Sequence, residues 1–549
     1  MTSAAAYLLA IEYMEFRQAT TMTTILTTTA PLKSLYFPSI FVCNINQVTQ
    51  TALAKMGLEF HDKDHRTTIK HLLWNFAHGL PRLYENPEEG QIEEAMVDIK
   101  YLEGLMKKIG WHSKNASFLE KASQPGNDSL IFVRYMQNPP KIFPHPYTSI
   151  TDYGACSVIY PYLDFVNETT KDRKDRQYEG HIMSHIHYGV RNGKNNGLEI
   201  MADAEVFDYA YIHHQSSGFM IALADNRDKA AINQKGFYVS PGKETLVSIK
   251  GEGFSITDSA RSNFIPEDRN CYHDDEFRFK HFRTEYGLRY SIGNCFYESY
   301  MEKVIEKCKC IPFIVTWETN LNLPKCRYWN FKDTRRNQYF FVSFQNRGLN
   351  LACSQFYMEN FGNEEREMDL AFDDQGAKKR CLNLCKYQNE KIQVTSAEYP
   401  SQNVFDSRHD LCLVISKLNA ICQNDYKFAI FDEYYRRRFN RTYYPRNLCN
   451  LVQLEIQGNV CKTNFTKANF EKDVNPQVLT FALIYAKDNL AKIFIFFKDP
   501  YYTEYLMDQS YSFAKFLGNI GGLVGISIGF SVISCVECFY FSLFFNTKR

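Results

Sequence analysis

The sequence predicts an α+β protein in which a large, disulfide-rich extracellular domain, with a mixed β-sheet core and peripheral helices, is carried on transmembrane helices. Three observations lead to this prediction. The stretch from Phe516 to Val536 contains no charged residue and, as a helix, would cover about 30 Å, the thickness of bilayer hydrocarbon. Fourteen of the 16 cysteines lie between Cys43 and Cys461, ahead of that stretch, and an even number is typical of an oxidised, disulfide-bonded domain. Strand-like alternation and helical spacing both occur among them.

The composition indicates that most of the chain lies outside the bilayer. Its 549 residues are 45% hydrophobic and 23% charged, as expected of a soluble globule with an added membrane segment. The net charge of +1 and the lack of a basic run with interleaved aromatic residues argue against nucleic acid as a partner. Five glycosylation sequons precede the hydrophobic stretch and agree with an extracellular location, at Asn115, Asn127, Asn167, Asn440 and Asn464.

The hydrophobic stretch carries glycines at every fourth residue, Gly521, Gly525 and Gly529, which form one seam on a helix. Such a seam allows helix backbones to approach closely in lipid. Spacing alone leaves two interpretations open, a single-pass anchor with a dimerisation seam or a pore helix.

The segment from Asn519 to Ser534 resembles the second transmembrane helix of the degenerin/epithelial sodium channel family, especially its pickpocket branch. The resemblance implies roles for six residues: Gly529-Phe530-Ser531 as the selectivity filter, Gly518 as the gating position, Gly525 as the position associated with amiloride block, and Glu537 as a charge of the pore. In that family the filter belt breaks the helix, and exposed carbonyls at that depth are tolerable only where they line water.

The resemblance also implies a function and an architecture. Family members are subunits of voltage-independent, amiloride-sensitive sodium or cation channels of the plasma membrane, with palm, thumb and finger regions. Three subunits assemble as homo- or heterotrimers, so the expected partners are sodium ions, other channel subunits and membrane lipid. No cofactor is expected.

The N-terminus departs from the family pattern. Ala4 to Ile11 is too short to span a bilayer and lacks the flanks of a signal peptide. We expect residues 1–19 to be the remnant of a first transmembrane helix, in a truncated chain that does not conduct by itself. Thr20 to Thr29 then predicts an extended strand, and Phe37 to Asn46 predicts a buried strand that resembles the family signature after the first helix.

The extracellular domain is expected to cover residues 20–511. Ala52 to Ser113 is mainly helical in pattern, and the proline-rich segment 125–146 predicts a loop. Thr151 to Tyr160 resembles a family strand that would place Cys156 opposite Cys43. Residues 167–197 predict a solvated excursion, and Gly197 to Ile256 predicts short strands of a mixed sheet.

Histidines cluster in and just after the excursion, at His181, His185, His187, His213 and His214. A metal-binding or proton-sensing role is one interpretation, because imidazoles titrate near physiological pH and bind metals. Inert surface histidines are the favoured interpretation, since no cysteine or carboxylate stands at ligand spacing.

The cysteines between 271 and 385 resemble the stapled thumb of the family, with a helix over Glu298 to Lys307. The resemblance implies five pairs in the domain: Cys43 with Cys156, Cys271 with Cys385, Cys295 with Cys381, Cys308 with Cys353, and Cys310 with Cys326. One further family bridge is missing from both ends at once, at Ser299 and Lys379, which supports this alignment.

The segment 403–475 resembles the family poorly. Its cysteines, Cys412, Cys422, Cys449 and Cys461, allow three pairings, and the sequence does not choose among them. The basic run Arg436 to Arg438 is expected to be a solvated face. Leu490 to Tyr505 resembles the last strand before the pore-lining helix, 512–545, and residues 546–549 are expected to be a cytoplasmic tail.

Two other functions compete with the channel. A single-pass, disulfide-rich cell-surface receptor or a non-conducting modulatory subunit would also have this ectodomain. The receptor would not require Glu537 in a hydrophobic segment, where a carboxylate is costly unless it faces water or a partner. An enzyme is not expected, since no nucleophile elbow, zinc-binding motif or recognisable carboxylate pair occurs.

Overall fold

The structure is a computed structural model. It describes residues 2–18, 20–55, 122–124, 126–135, 141–142, 147–151, 153–159, 192–212, 216–224, 232–273, 276–281, 290–308, 311, 323, 370–373, 375, 377–401, 404–405, 407–439, 445, 447–458, 461, 474–529 and 532–546.

The strands within these ranges are β1 Thr21–Pro31, β2 Ser39–Asn44, β3 Asn46–Thr49, β4 Leu130–Tyr135, β5 Lys141–Ile142, β6 Tyr147–Ile150, β7 Ala155–Ile159, β8 Leu198–Asp203, β9 Tyr209–Ile212, β10 Phe219–Ala224, β11 Phe237–Val239, β12 Lys243–Ile256, β13 Cys271–Tyr272, β14 Leu370–Phe372, β15 Lys378–Arg380, β16 Asn383–Leu384, β17 Tyr387–Glu398, β18 Leu490–Phe497 and β19 Tyr501–Gln509. The helices are α1 Thr2–Gln18, α2 Gln50–Lys55, α3 Gly126–Ser129, α4 Ile232–Lys235, α5 Asp258–Asn263, α6 Pro266–Arg269, α7 Ile292–Cys308, α8 Arg408–Cys422, α9 Asp425–Arg438, α10 Leu448–Gln457, α11 Pro476–Asn489, α12 Phe513–Ile528 and α13 Val532–Asn546. The predicted α+β class with a mixed sheet is therefore confirmed.

The main sheet contains eight strands. Seven follow the order β1-β19-β12-β18-β8-β4-β5, and the eighth, β17, also pairs with β12. The long strand β12 pairs in parallel with β18 over its first half and with β19 over its second half. From Lys243 to Phe254 it pairs antiparallel with β17. A single strand therefore connects the core of the sheet to β19, the strand that leads to the last helices.

The second half of β12 is shaped by close packing. A Cβ added at Gly251 would lie 2.3 Å from Cδ1 of Leu35, so only glycine lets that neighbour approach the strand. In the same half, the ring of Phe254 stacks on Tyr387 of β17 at 4.5 Å and on Tyr505 of β19 at 4.8 Å between centroids. These three rings are cross-strand neighbours, and aromatic pairs of this kind stabilise a sheet. Strands β17, β12 and β19 are thereby joined by side chains as well as by backbone hydrogen bonds.

A five-stranded sheet, β11-β10-β2-β7-β6, packs against the main sheet. Ile40 and Phe219 from this sheet share one buried hydrophobic core with Leu198 and Ile493 from the main sheet. The apolar, β-branched run within Phe37 to Asn46 predicted the burial of β2, and all six of its residues are buried.

Three of the five implied disulfides are present. Cys43–Cys156 joins β2 to β7, Cys271–Cys385 fastens β13 next to β16, and Cys295–Cys381 ties α7 to the segment after β15. Cys308 is the last residue of α7, whereas Cys310, Cys326 and Cys353 lie outside the described residues, so their pairing stays a prediction. At the position of the missing family bridge, Lys379 forms an ion pair with Asp373 at 3.1 Å.

The described helices of the segment 403–475, α8, α9 and α10, form with α11 a helical layer on one face of the main sheet. Helices α8, α9 and α11 begin at side-chain caps, Ser407, Asn424 and Asn475, each of which accepts a backbone N–H. Their apolar faces form a second core around Phe431 and Phe481. Of the three pairings that the sequence allowed, the structure has Cys412–Cys461 and Cys422–Cys449. The basic run at the end of α9 is exposed and ion-paired, as expected of a solvated face.

A buried ionic cluster fastens this helical layer to the sheet. Nζ of Lys417, on α8, lies 2.9 Å from Oε1 of Glu205 and 3.4 Å from Oδ2 of Asp203. Nζ of Lys427, on α9, lies 2.6 Å from the same Glu205 oxygen and 3.0 Å from Asp128. Burial alone would lower the pKa of Lys417, but Glu205 and Asp203 outweigh burial and raise that pKa. At Lys427 burial is likewise outweighed by the charge of Glu205, which raises the pKa of that lysine, so both lysines remain charged in this interior site.

Two sequence predictions about the domain are wrong. Residues 125–146 are not only a loop, because β4 and β5 form there; the apolar, β-branched run Leu130 to Val133 pairs with β8 despite the flanking prolines. The single strand expected over Leu490 to Tyr505 is two strands, β18 and β19, separated by a short turn at Pro500. Each of them pairs with a different half of β12.

Other predictions fall outside the described residues. These are most of the helical region 52–113, most of the excursion 167–197, the histidines His181, His185, His187, His213 and His214, and the sequons at Asn115, Asn167, Asn440 and Asn464. Asn127 lies within α3. The predicted helix in the cysteine array is confirmed and extends from Ile292 to Cys308.

Candidate pore-forming helices

The first and last helices leave the domain from adjacent strands. Strand β1 runs antiparallel to β19, and the pair opens with Thr21 opposite Gln509. Helix α1 ends two residues before β1, and α12 begins shortly after β19, with Ser512 as its cap. Because the strand ends lie side by side, the two helices emerge together from one edge of the main sheet.

The connection between β19 and α12 is fixed to the domain by Asp508. Its Oδ1 accepts hydrogen bonds from the hydroxyl of Thr257 at 2.7 Å and from the backbone N–H of Gln509 at 2.8 Å. These two bonds hold the pKa of the Asp508 carboxyl below its usual range. Thr257 also caps α5, so the same residue anchors a helix of the domain and the last strand.

Aromatic side chains pack α1 against the first turn of α12. The rings of Phe16 and Phe516 stack with centroids 4.4 Å apart. The ring of Tyr13 lies 6.4 Å from that of Phe516, and the ring of Phe16 lies 6.2 Å from that of Phe513. Residues 13 and 16 are one turn apart on α1, so one face of that helix makes all these contacts.

A polar contact lies beside the aromatic rings. The Tyr511 hydroxyl donates to Oε2 of Glu12, and Nδ2 of Asn519 donates to the same oxygen at 3.2 Å. Nδ2 of Asn519 also lies 2.6 Å from the Tyr511 hydroxyl oxygen. Glu12 of α1 is thereby linked both to the residue that precedes the cap of α12 and to the second turn of that helix.

The stretch expected to be one helix from Phe516 to Val536 is divided in two. Helix α12 ends at Ile528, because Gly529 adopts the left-handed conformation, with φ 65°, in which glycine commonly terminates helices. Helix α13 begins at Val532, and Phe530 and Ser531 lie outside the described residues. The hydrophobic stretch therefore forms two helices, and the break falls where the family resemblance implies one. No helix among the described residues combines the length and the apolar character needed to cross a membrane.

The glycines of α12 leave its surface open. Among the described residues, a Cβ built on Gly518, Gly521 or Gly522 would meet no atom within 4 Å beyond the helix itself. Apolar side chains on the same helix are also exposed, such as Ile526, whose exposed fraction is 91%. On α13, Glu537 is exposed, and Cys538 is the free cysteine among those whose side chains are described. Within the described part of the chain, the surface of α12 beside these three glycines is therefore open.

Sequence reasoning missed the contact made by Glu12. The signal was present, because Glu12 stands in an apolar helical run one turn before Phe16, and a carboxylate in such a run is expected to have a partner. The partner could not be identified, since Tyr511 and Asn519 are about five hundred residues away in the sequence.

The fold and these helices define a class of protein, a disulfide-bonded α+β domain whose first and last strands lead directly into a pair of packed, apolar helices. The sequence profile described as "Amiloride-sensitive sodium channel" matches residues 1–541. The chain therefore belongs to the amiloride-sensitive sodium channel family, which is the degenerin/epithelial sodium channel family that its motifs resemble.

Individual relatives are distant. Acid-sensing ion channel 1A of Danio rerio is 22% identical over 311 residues, which cover 54% of this chain and 51% of the relative. Acid-sensing ion channel 4 of Homo sapiens is 27% identical over 298 residues, covering 51% of this chain and 42% of the relative. The epithelial sodium channel subunit beta of Xenopus laevis is 23% identical over 118 residues, which cover 22% of this chain and 17% of the relative. The chain thus spans about half the length, or less, of the curated relatives that it matches.

Proposed function

We propose that this protein is a pore-lining subunit of an amiloride-sensitive, voltage-independent sodium channel in the plasma membrane. In this proposal residues 20–511 are the extracellular domain and α1 belongs to the first membrane segment. Residues 512–545 line the pore, and residues 546–549 face the cytoplasm. Gly529, Phe530 and Ser531 form the selectivity filter, and Glu537 lies on its cytoplasmic side.

The observation that carries the proposal is the helix break at Gly529. A helix that ends in the middle of an apolar segment frees backbone carbonyls, and in a membrane such carbonyls are tolerated only where they line a water-filled path or protein. Carbonyls and hydroxyls of this kind can replace the hydration shell of a monovalent cation. The break lies at the residues whose sequence resembles the family filter, which supports the assignment.

The open surface of α12 supports assembly with further subunits. Glycines spaced four residues apart allow close approach of neighbouring helices in lipid, and no neighbour within the described part of the chain fills the space beside Gly518 and Gly521. We propose a trimer, homomeric or heteromeric, in which these faces of α12 converge on the pore axis.

The test is electrical recording from cells that express the chain alone and together with other subunits of the family. Gly529→Ala forces a side chain into a left-handed backbone conformation, so it should remove or strongly reduce selectivity for sodium over potassium. Gly522→Ala, in an open helical position of α12, is the matched control and should retain selectivity. Gly525→Ala should mainly alter block by amiloride.

Two results would contradict the proposal. Unchanged selectivity in a conducting Gly529→Ala channel would show that the break is not the filter. Surface expression without current, with every partner subunit tried, would favour the non-conducting modulatory subunit or the receptor.

A further inference from the structure

We infer that Glu12, Tyr511 and Asn519 form a polar latch that sets the position of α12 relative to α1 at the level of the gating glycine. The inference rests on the proposed function, since it names the residues that position the pore-lining helix. It concerns positioning residues and not groups that bind the ion.

The latch lies where a movement of α12 away from α1 would break its hydrogen bonds. Asn519 follows Gly518 directly, and its Nδ2 lies 3.2 Å from one Glu12 oxygen and 3.4 Å from the other. Tyr511 lies just before the start of the same helix and donates its hydroxyl to Glu12. Any separation of α1 from the second turn of α12 must therefore break contacts to a single carboxylate.

The chemistry makes these contacts strong and directional. A carboxylate accepts hydrogen bonds and cannot donate one, so the amide of Asn519 must turn its Nδ2 toward α1. Hydrogen bonds to an ionised acceptor are about twice as strong as neutral ones. The carboxylate is half-buried beside the stacked rings of Phe16 and Phe516, where weaker solvation leaves it more dependent on its donors.

The nearby lysine of α12 is engaged elsewhere. Lys515 directs its Nζ over the ring of Tyr511, 5.3 Å from the centroid. This cation–π contact involves only the ring of Tyr511, so its hydroxyl still donates to Glu12. In the described part of the chain, Glu12 accepts its side-chain hydrogen bonds from Tyr511 and Asn519.

The inference predicts that the contact between α1 and α12 survives when the hydrogen-bond acceptor on α1 and the donor on α12 are exchanged. Asn519→Asp places a second carboxylate against Glu12, so the two helices should separate. Glu12→Gln keeps the shape but loses the charge, which should weaken the contact less. In the double variant Glu12→Gln/Asn519→Asp, the amide introduced on α1 and the Tyr511 hydroxyl can both donate to the carboxylate introduced on α12, so the swap should restore the contact.

The experiment uses the full-length chain in membranes, with the photo-reactive aromatic residue benzoylphenylalanine in place of Tyr13, whose ring lies 6.4 Å from that of Phe516. Light-induced capture of α12 is measured by mass spectrometry, and sodium current is recorded from the same variants without the photo-reactive residue. Capture should fall about tenfold or more in Asn519→Asp, because hydrogen bonds to a charged group shift an equilibrium by at least that factor. The double variant should recover most of the capture. Glu15→Gln removes an exposed carboxylate from the same helix and is the matched control.

The outcomes separate this inference from the proposed function. Rescue of capture by the double variant supports the latch even if no variant conducts, and channel opening that follows the same order supports its role in gating. If the double variant captures no better than Asn519→Asp alone, or if Glu15→Gln lowers capture as much, the latch does not exist. Retention of the disulfide Cys43–Cys156 in each variant checks that the domain has folded.

Discussion

Replacement of Lys417 by methionine should destabilise the attachment of the helical layer to the sheet. The exposed fractions of the three charged side chains involved are 9% for Lys417, 1% for Glu205 and 0% for Asp203. Removing one partner from such a buried pair typically costs about 3–5 kcal/mol, because the remaining charge is left without compensation. Lys427 still lies 2.6 Å from Glu205, so we expect the lower end, about 3 kcal/mol.

Hydrogen exchange of the full-length protein in detergent would measure this loss. Amides of α8 should exchange about a hundredfold faster in Lys417→Met, since each 1.4 kcal/mol changes an opening equilibrium about tenfold. Combining the change with Asp203→Asn should recover part of the loss, because one uncompensated charge is removed. Arg437→Met is the matched control: that arginine pairs with Glu433 on the surface of α9, where both side chains are exposed, and such pairs contribute little. An effect no larger than that of Arg437→Met would refute the argument.

Three further predictions concern pH, disulfides and gating. Burial first, and then the neighbouring charge of Glu205, raise the pKa of Asp208 from 3.8 to about 7, so the folded state holds a proton that the unfolded chain releases. The free energy of unfolding should therefore fall as pH rises from about 4 to 7, by up to about 1.4 kcal/mol per pH unit. Asp208→Asn should remove this contribution, which denaturation of the variant and the wild type at several pH values would measure. Peptide mapping without reduction should find Cys295 joined to Cys381, a bridge whose loss should cost about 2–4 kcal/mol in denaturation of a double serine variant; free thiols there would contradict the structure. Gly518→Phe should hold the channel open, because a bulky side chain keeps converging helices apart. A variant that reaches the surface but stays closed in recordings would exclude this role.

The sequence predicted those parts of the fold that local patterns encode. Strand β2 was predicted because its run is apolar and β-branched and ends at a cysteine. Part of α7 was predicted because Glu298 to Lys307 is helix-like and lies in the cysteine array that resembles the family. The pairing of Cys43 with Cys156 followed only from the family resemblance, since spacing by itself cannot choose among the possible partners.

Other features depend on contacts that local patterns do not encode. Strand β4 was missed because prolines flank it, yet its pairing with β8 decides its conformation. The division of Leu490 to Tyr505 into β18 and β19 depends on β12, which is long enough to pair with both. At the candidate site, the glycine seam and the family filter were visible in the sequence, whereas the contact of Glu12 with Asn519 exists only because β1 and β19 are neighbours.

The double pairing of β19 has a mechanical consequence. A pull on α12 that is transmitted along β19 acts parallel to its two neighbours, β1 on one side and β12 on the other. Such a load is shear, in which all the interstrand hydrogen bonds share the force at once, whereas peeling would break them one after another. The stacked rings of Tyr387, Phe254 and Tyr505 extend the same resistance to β17. Helix α12 is thus attached to a group of strands that resists deformation. A movement of these strands as one rigid unit is therefore the motion that is transmitted to α12.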